Sequence, residues 1–581
     1  MWWKNYKSVT RLRAFASANP GRFAWHLAGI AASAWLGLVL ITLGLAGWFS
    51  FQAGQTLATG QISGLKTSAQ RSAKFVNLAN HLTFSQSQSL EAWQSGLSLV
   101  DEFDHLLQSL EEINDLQGSS ARYDLVPLRQ SLVQFRPAFS QFLRAASSSW
   151  LISLHPDAGP LLSQLDSADQ MLALLEMILS EPGSYLIIFQ NPDELRATGG
   201  FLGSLAVINY DGRYLDEPEI LDVYDVAGQL TTRVSAPAPV NQYLSGGQGL
   251  NLQDANWWPD FPESAEQIRE LYQAAGFGEI NGVVAITTQV VEELLRVTGP
   301  IYLPDYNTTA TAGNFKALAR ADRDQFFAGS RQKTSFLSHF FVTLKQALLN
   351  QSHERWWQFF HRLDDLSAAK AIQIEHFNPI ISRWLSQAGL NGALLDPTQS
   401  DYYLYWIESN VGINKANQAV ERGFQLSLGD YSSQLTAIIS NPNRPGSAPV
   451  IDNPELAGAD HLHYVNYQRL LLPPDHQIDQ ISLDGEPLET WDEQVISRAD
   501  GLEWLEVGFL VVVREGQSGR VGLKFSHPSR GQGENDQLSL TLQRQAGVAE
   551  SLWEIRWLDS LGQEQSQTWM LESDKLIVMP L

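Results

Sequence analysis

The chain has no cysteine among its 581 residues, which removes disulfides, thiolate nucleophiles and cysteine-bound zinc or iron–sulfur centres from consideration. A cysteine-free protein suits either redox compartment, so the absence assigns none. Also missing are the HExxH zinc helix, the GxxxxGK[ST] phosphate loop, the GxSxG nucleophile elbow and the GxGxxG dinucleotide turn, and with them the enzyme classes those spacings serve. Positive charge is scarce. Lys and Arg number 39 against 63 Asp and Glu, a net charge of −24. Five of the cations (Lys4, Lys7, Arg11, Arg13 and Arg22) precede residue 51, where there is no acid at all. So acidic a body repels phosphate backbones, and no basic, aromatic-interleaved stripe offsets the repulsion; no nucleic acid partner is expected.

Apolar surface is plentiful. Hydrophobic residues make up 44% of the chain and 18 are Trp, enough for real cores in a chain long enough for several domains. Leu27 to Phe51 carries no charge and is bracketed by Trp25 and Trp48. At about 1.5 Å per residue such a run crosses a bilayer core of about 30 Å. The early cations put the N-terminus on the cytoplasmic side by the positive-inside rule. The expectation is a single-pass protein of the cell membrane: a basic cytoplasmic tail (1–26), a transmembrane helix (27–51) and an extracytoplasmic bulk.

Residues 52–181 read as helices, with apolar positions at helical spacing such as Leu90, Trp93, Leu97 and Val100. From Tyr185 the pattern changes to short apolar runs, YLIIFQN, LAVINYDGRY and VVAIT, alternating with helical stretches such as QVVEELLRVTG. An α/β layer structure is expected over 182–415, with a helical end. Beyond it FQLSLGDYSSQLTAIIS alternates with period two about Gly429-Asp430, as a hairpin does. Similar text continues to the C-terminus and predicts an all-β sandwich over 416–581.

Two segments carry candidate chemistry. In NPDELRATGGFLGS, Asp193 and Glu194 sit beside Arg196, and Gly199 and Gly200 allow close backbone approach. Arginine donors on a glycine-rich turn suit an anion; the same residues suit a structural turn with a buried ion pair. In DANWWPDFPESA, Asp254, Asn256 and Asp260 offer oxygens for a hard cation such as Mg²⁺. They equally suit turn and helix-cap duty.

These two segments, with INGVVAITTQVVEELLRVTGPI and NVGINKANQAVER in the same order, resemble the uncharacterised bacterial family called domain of unknown function 4012, from about Leu186 to Arg422. A more distant similarity is to the LytR-CpsA-Psr phosphotransferases, which move polymers from polyprenyl-pyrophosphate lipids to the cell wall. That similarity implies a LytR-CpsA-Psr-like α/β domain in which Arg196 and Arg331 hold pyrophosphate and Asp193 or Glu194 lies near Mg²⁺. The chain departs from the phosphotransferase pattern, since Arg196-Ala197-Thr198-Gly199 lacks its aspartate. The expected function is therefore an envelope protein that binds or transfers a polyprenyl-linked glycopolymer or cell-wall polymer. The alternative is a non-catalytic scaffold or adhesion protein.

Overall fold

The computed structural model describes residues 65–83, 122–147, 172–321, 332–349, 351, 353–444, 462–528 and 537–580, with some helical positions between 94 and 169. The chain divides into two compact units, 1–180 and 181–581.

In the first unit, helix α1 spans Leu65–Thr83 and α2 spans Val126–Ser147. Helix α2 buries Leu132, Phe135, Phe139 and Leu143, a stripe at three- and four-residue spacing, which is how an amphipathic helix meets a core. Arg136 of α2 pairs with Glu176 at 2.7 Å, and the Ser140 hydroxyl donates to Asp169 at 2.6 Å.

These helices bear on the membrane expectation. The run 27–51 lies outside the described residues, and among the described residues no helix is long and apolar enough to cross a membrane. Helix α1 carries Lys66, Arg71 and Lys74, and α2 carries Arg129, Arg136 and Arg144. A charge at a bilayer centre costs about 2.5–3.5 kcal/mol on insertion scales. The transmembrane element of the expected fold class and the single-pass cell-membrane localisation are corrected accordingly. The described structure contains amphipathic helices, a mixed α/β sheet, a small two-stranded sheet and a sandwich of two mixed sheets.

The second unit opens with strand β1 (Gly183–Asn191), followed by β2 (Phe201–Tyr210) and β3 (Glu219–Asp222). Helix α3 (Phe261–Ala274), strand β4 (Gly282–Thr287) and helix α4 (Thr288–Thr298) come next. After them lie helices α5 (Phe315–Ala321), α6 (Gln332–Leu349) and α7 (His353–Ala368), strand β5 (Ile372–His376) and helix α8 (Pro379–Gln387). The sheet runs β2-β1-β4-β5, with β3 also on β2. Only the β1–β4 pair among these is parallel, in the register Tyr185 to Gly282 through Gln190 to Thr287. Leu186, Ile188, Val283 and Ala285 point into one core with Phe261, Ile268 and Leu271 of α3. Val291 and Leu295 of α4 pack on the other side with Phe336 and Phe340 of α6. Alternation along each strand thus feeds a helical layer on each face. Helix α4 ends at Gly299, whose φ of +77° favours glycine.

The sandwich contains β6 (Tyr402–Asn410), β7 (Glu421–Ser427), β8 (Ser432–Asn441), β9 (Tyr464–Leu472), β10 (Gln477–Leu483) and β11 (Asp492–Ser497). It continues with β12 (Glu503–Val513), β13 (Gln517–Ser526), β14 (Gln537–Gln543), β15 (Ser551–Leu558), β16 (Glu564–Leu571) and β17 (Lys575–Pro580). One sheet has the order β11-β12-β9-β6-β14-β17 and the other β10-β13-β8-β7-β15-β16. The expected hairpin about Gly429-Asp430 is β7–β8, antiparallel with Ser427 opposite Gln434. Phe424 stacks on its cross-strand neighbour Trp553 at 4.2 Å, and Trp406 of the other sheet lies edge-on to Phe424.

Strand β6 is buried at every residue. Tyr402, Leu404 and Trp406 face the sandwich core. Tyr403, Tyr405 and Ile407 face a second cluster with Ala197 and Leu394 of the α/β part. A strand covered on both faces reads as a continuous apolar run, and YYLYWI does. The sandwich therefore begins with Tyr402, in a segment the sequence pattern assigns to the α/β domain.

Candidate functional site

The turn after β1 is built locally. Asn191 accepts the Asp193 amide through its side chain at 3.2 Å, and Pro192 pre-sets the first position of the short 3₁₀ turn Pro192–Glu194. The chain then carries Arg196 inward, where only 2% of it is exposed. Its Nη1 donates to the Asn410 carbonyl at 2.7 Å. Its Nη2 donates to Asp254 Oδ1 at 3.3 Å and Glu194 Oε1 at 3.5 Å. The guanidinium carbon lies 5.7 Å from the Phe201 ring centre. Burial pushes the Asp254 carboxyl up from its ordinary range, while attraction to Arg196 pulls the other way.

The neighbouring residues lock the same junction. Gly200 has φ +155°, and a Cβ there would lie 2.2 Å from the Asn191 carbonyl oxygen. The fully buried Asn256 donates to the Gly200 carbonyl at 2.8 Å and to Gln190 Oε1 at 3.1 Å. From the sandwich, Gln545 donates to the carbonyls of Arg196 (3.1 Å) and Glu408 (2.8 Å) and accepts the Glu408 amide at 2.8 Å. Gly547, at φ +76°, approaches so closely that its Cβ would meet the Gly199 oxygen at 2.0 Å.

The second motif is held alike. Arg469 of β9 donates to the Trp257 carbonyl at 2.7 Å, lies 4.4 Å from that indole ring, and pairs with Glu506 at 3.3 Å. Asp260 accepts the Leu394 amide at 2.8 Å. Its carboxyl is pushed up to about 6 by burial, with that amide and Arg498 opposing the shift.

The candidate site residues are thus distributed as follows. Arg196, Glu194 and Asp254 meet in one buried cluster; Asn256, Gly199 and Gly200 form the turn beside it; Asp260 serves a different loop. Arg331 lies outside the described residues, so its approach to Arg196 is not described. As to Mg²⁺, Asp254 is engaged by arginine and Asp260 by a backbone amide. Among the described residues no group of three or more His, Asp or Glu is arranged to hold a metal. This donor set does not fit the cation.

A cleft of about 100 Å³ lies elsewhere, at the carboxyl ends of β1 and β4. Its walls are apolar, with Phe189, Ile286, Val291, Phe315 and Phe341 among them, and Asp193, Thr288, Lys316 and Lys415 also line it. Of the proposed site residues that the structure describes, Asp193 alone borders it. Lys415 belongs to NVGINKANQAVER, a stretch whose Asn and Gly content suggests a structural connection. The visible signal was a lysine inside that motif; what brings it to the cleft is the packing of the Ala416–Gln418 turn against Pro192–Glu194.

Residues 180–323 match the family model described as "Protein of unknown function (DUF4012)". The matched DUF4012 segment holds β1 to α5 and both buried motifs. No curated protein matches the chain. Among solved structures it is similar to an M1 zinc metallopeptidase from Deinococcus radiodurans, at 12% identity and TM-score 0.17, over 28% of this chain and 43% of that one. A mutant of a two-domain M1 zinc metallopeptidase bound to L-tryptophan gives 12% and 0.16, over 28% and 44%. The chain spans less than half the length of these structures, and likeness at such TM-scores carries no argument.

Proposed function

We propose that residues 181–581 form a non-catalytic binding scaffold in which the DUF4012 motifs join an α/β layer to a β-sandwich. The observation that carries this reading is Arg196, whose two terminal nitrogens are taken up by Asn410, Asp254 and Glu194 inside the protein. Holding a lipid pyrophosphate would require that arginine to leave a carbonyl and two carboxylates. Those carboxylates would then be buried without their partner, at a cost of several kcal/mol. Transfer of a polyprenyl-linked glycopolymer draws no support from such a residue.

The test uses the full-length chain with a short-chain polyprenyl-pyrophosphate-linked saccharide and Mg²⁺, comparing wild type with Arg196→Ala. The scaffold reading expects no transfer by wild type and a variant whose defect is lowered thermal stability. Transfer by wild type that disappears in a variant of unchanged melting temperature would overturn it.

A further inference from the structure

Tyr185, Gly282 and His376 stand opposite one another on the neighbouring strands β1, β4 and β5. The middle residue has no side chain, so the two rings reach across it, with centres 5.9 Å apart and the Tyr185 hydroxyl 3.5 Å from His376 Nε2. A Cβ on Gly282 would lie 2.6 Å from the Glu375 carbonyl oxygen and 3.4 Å from the Tyr185 ring. The imidazole is thereby fixed at the end of β5, with 7% of the residue exposed.

The other ring nitrogen has a specific partner. The Asn378 backbone N–H donates to His376 Nδ1 at 2.9 Å. A backbone amide only donates, so Nδ1 carries the lone pair and the ring proton sits on Nε2. Asn378 is the N-cap of α8. Its side chain accepts the Ile380 amide at 3.0 Å, its carbonyl accepts the Ser382 amide at 2.9 Å, and Pro379 opens the helix. The histidine therefore anchors the residue on which the helix starts.

The groups around the ring decide how it answers a proton. Glu181, exposed just before β1, attracts an imidazolium, while burial pushes the Tyr185 hydroxyl up and keeps it neutral. Strand β4 presents the Gly282 backbone. Arg269 of α3 lies 4.4 Å from the ring centre of Phe377, Glu375 accepts the Asn391 amide at 3.3 Å, and α8 carries Arg383 and no acid. Burial outweighs Glu181 and holds the imidazole below its ordinary range. The positive end of the helix acts in the same direction.

From these contacts we infer that His376 is an acid-sensitive latch: a proton on Nδ1 sets two N–H groups against each other and releases the start of α8. Opening there uncovers Ile381 and Leu385, which α8 buries, next to Ile380, which is already 70% exposed. The closed form takes up the proton less readily than the open one. The latch therefore holds above the ordinary histidine value of 6.5 and weakens as pH falls below it. This goes beyond the scaffold reading and does not depend on it.

The test is hydrogen exchange of the full-length chain, read by mass spectrometry on residues 377–388 against intrinsic rates, at about pH 7.5 and about pH 5. Wild type should lose at least about fivefold in protection on acidification, the scale of one hydrogen bond, while α3 keeps its protection. His376→Asn retains an acceptor for the amide two residues on, as Asn191 does for Asp193, and does not take up the proton. Its protection should be the same at both pH values. Glu181→Gln is an exposed change that keeps the test open if His376→Asn does not fold. It removes the attraction that eases protonation of the closed form, so it should enlarge the wild-type loss. Wild-type protection unchanged at the lower pH would overturn the latch, as would an equal loss in α3. So would a loss of wild-type size in His376→Asn, or a loss in Glu181→Gln no larger than in wild type.

Discussion

Arg196 donates through its side chain to the Asn410 carbonyl at 2.7 Å, and the Asn410 amide in turn donates to the carbonyl of Leu195, one residue before the arginine, at 2.8 Å. The last residue of β6 is thereby tied to the turn after β1. Removing the side chain in Arg196→Ala leaves Asp254, Glu194 and a carbonyl without their donor. Breaking a buried pair of this kind costs about 3–5 kcal/mol. The expected result is a large fall in the denaturant midpoint of the 181–581 unit, measured by tryptophan fluorescence in the full-length chain. A midpoint within error of wild type would refute the junction role.

Close backbone approach at the same junction gives a second expectation. A methyl at Gly547 meets the Gly199 oxygen, and a methyl at Gly200 meets the Asn191 carbonyl. Both obstacles are backbone, which cannot swing aside as a side-chain tip can. Gly547→Ala and Gly200→Ala should each cost at least about 1–3 kcal/mol, the range for overpacking, with left-handed backbone strain in addition. Gly501→Ala is the control for positive φ alone, since φ is +87° there and the space is open. It should be clearly milder in thermal melts.

How much of this was readable from sequence depends on what each residue contacts. Local features read well: Gly429-Asp430 at the turn of β7–β8, and VVAIT followed by the helical run QVVEELLRVTG. The start of the sandwich did not, because Tyr402–Asn410 is covered on both faces and gives no period-two signal. At Arg196, composition left an anion site and a buried ion pair equally open. The partners that decide its surroundings, Asp254 and Asn410, stand 58 and 214 residues away, and no local pattern encodes such distances. The cleft was harder still, since its lysines come from separate segments around residues 316 and 415.

Asp260 carries a pH expectation. Its carboxyl is pushed up to about 6 in the folded chain, against about 3.9 unfolded. The folded state then holds the proton more tightly, so this residue's contribution to stability is complete below about pH 4 and is lost as pH rises through about 6. The full change is on the order of 3 kcal/mol. Asp260→Asn keeps an oxygen for the Leu394 amide and loses the charge. Its stability relative to wild type should rise between pH 4 and pH 7, by chemical denaturation at a series of pH values. A difference that stays flat across that window would contradict the raised carboxyl.

Ile413 supplies the last expectation. Its φ of +52° costs an L-residue roughly 1–2 kcal/mol, and with 46% of it exposed it recovers little by burial. Glycine takes this backbone freely, although it gives up more chain entropy on folding, about 0.5–1 kcal/mol. Ile413→Gly should therefore be neutral to mildly stabilising, whereas isoleucine elsewhere in a strand or helix would lose stability on the same change. Stability lowered by more than about 1 kcal/mol would show instead that the Ile413 side chain, and not its backbone, is what the fold requires.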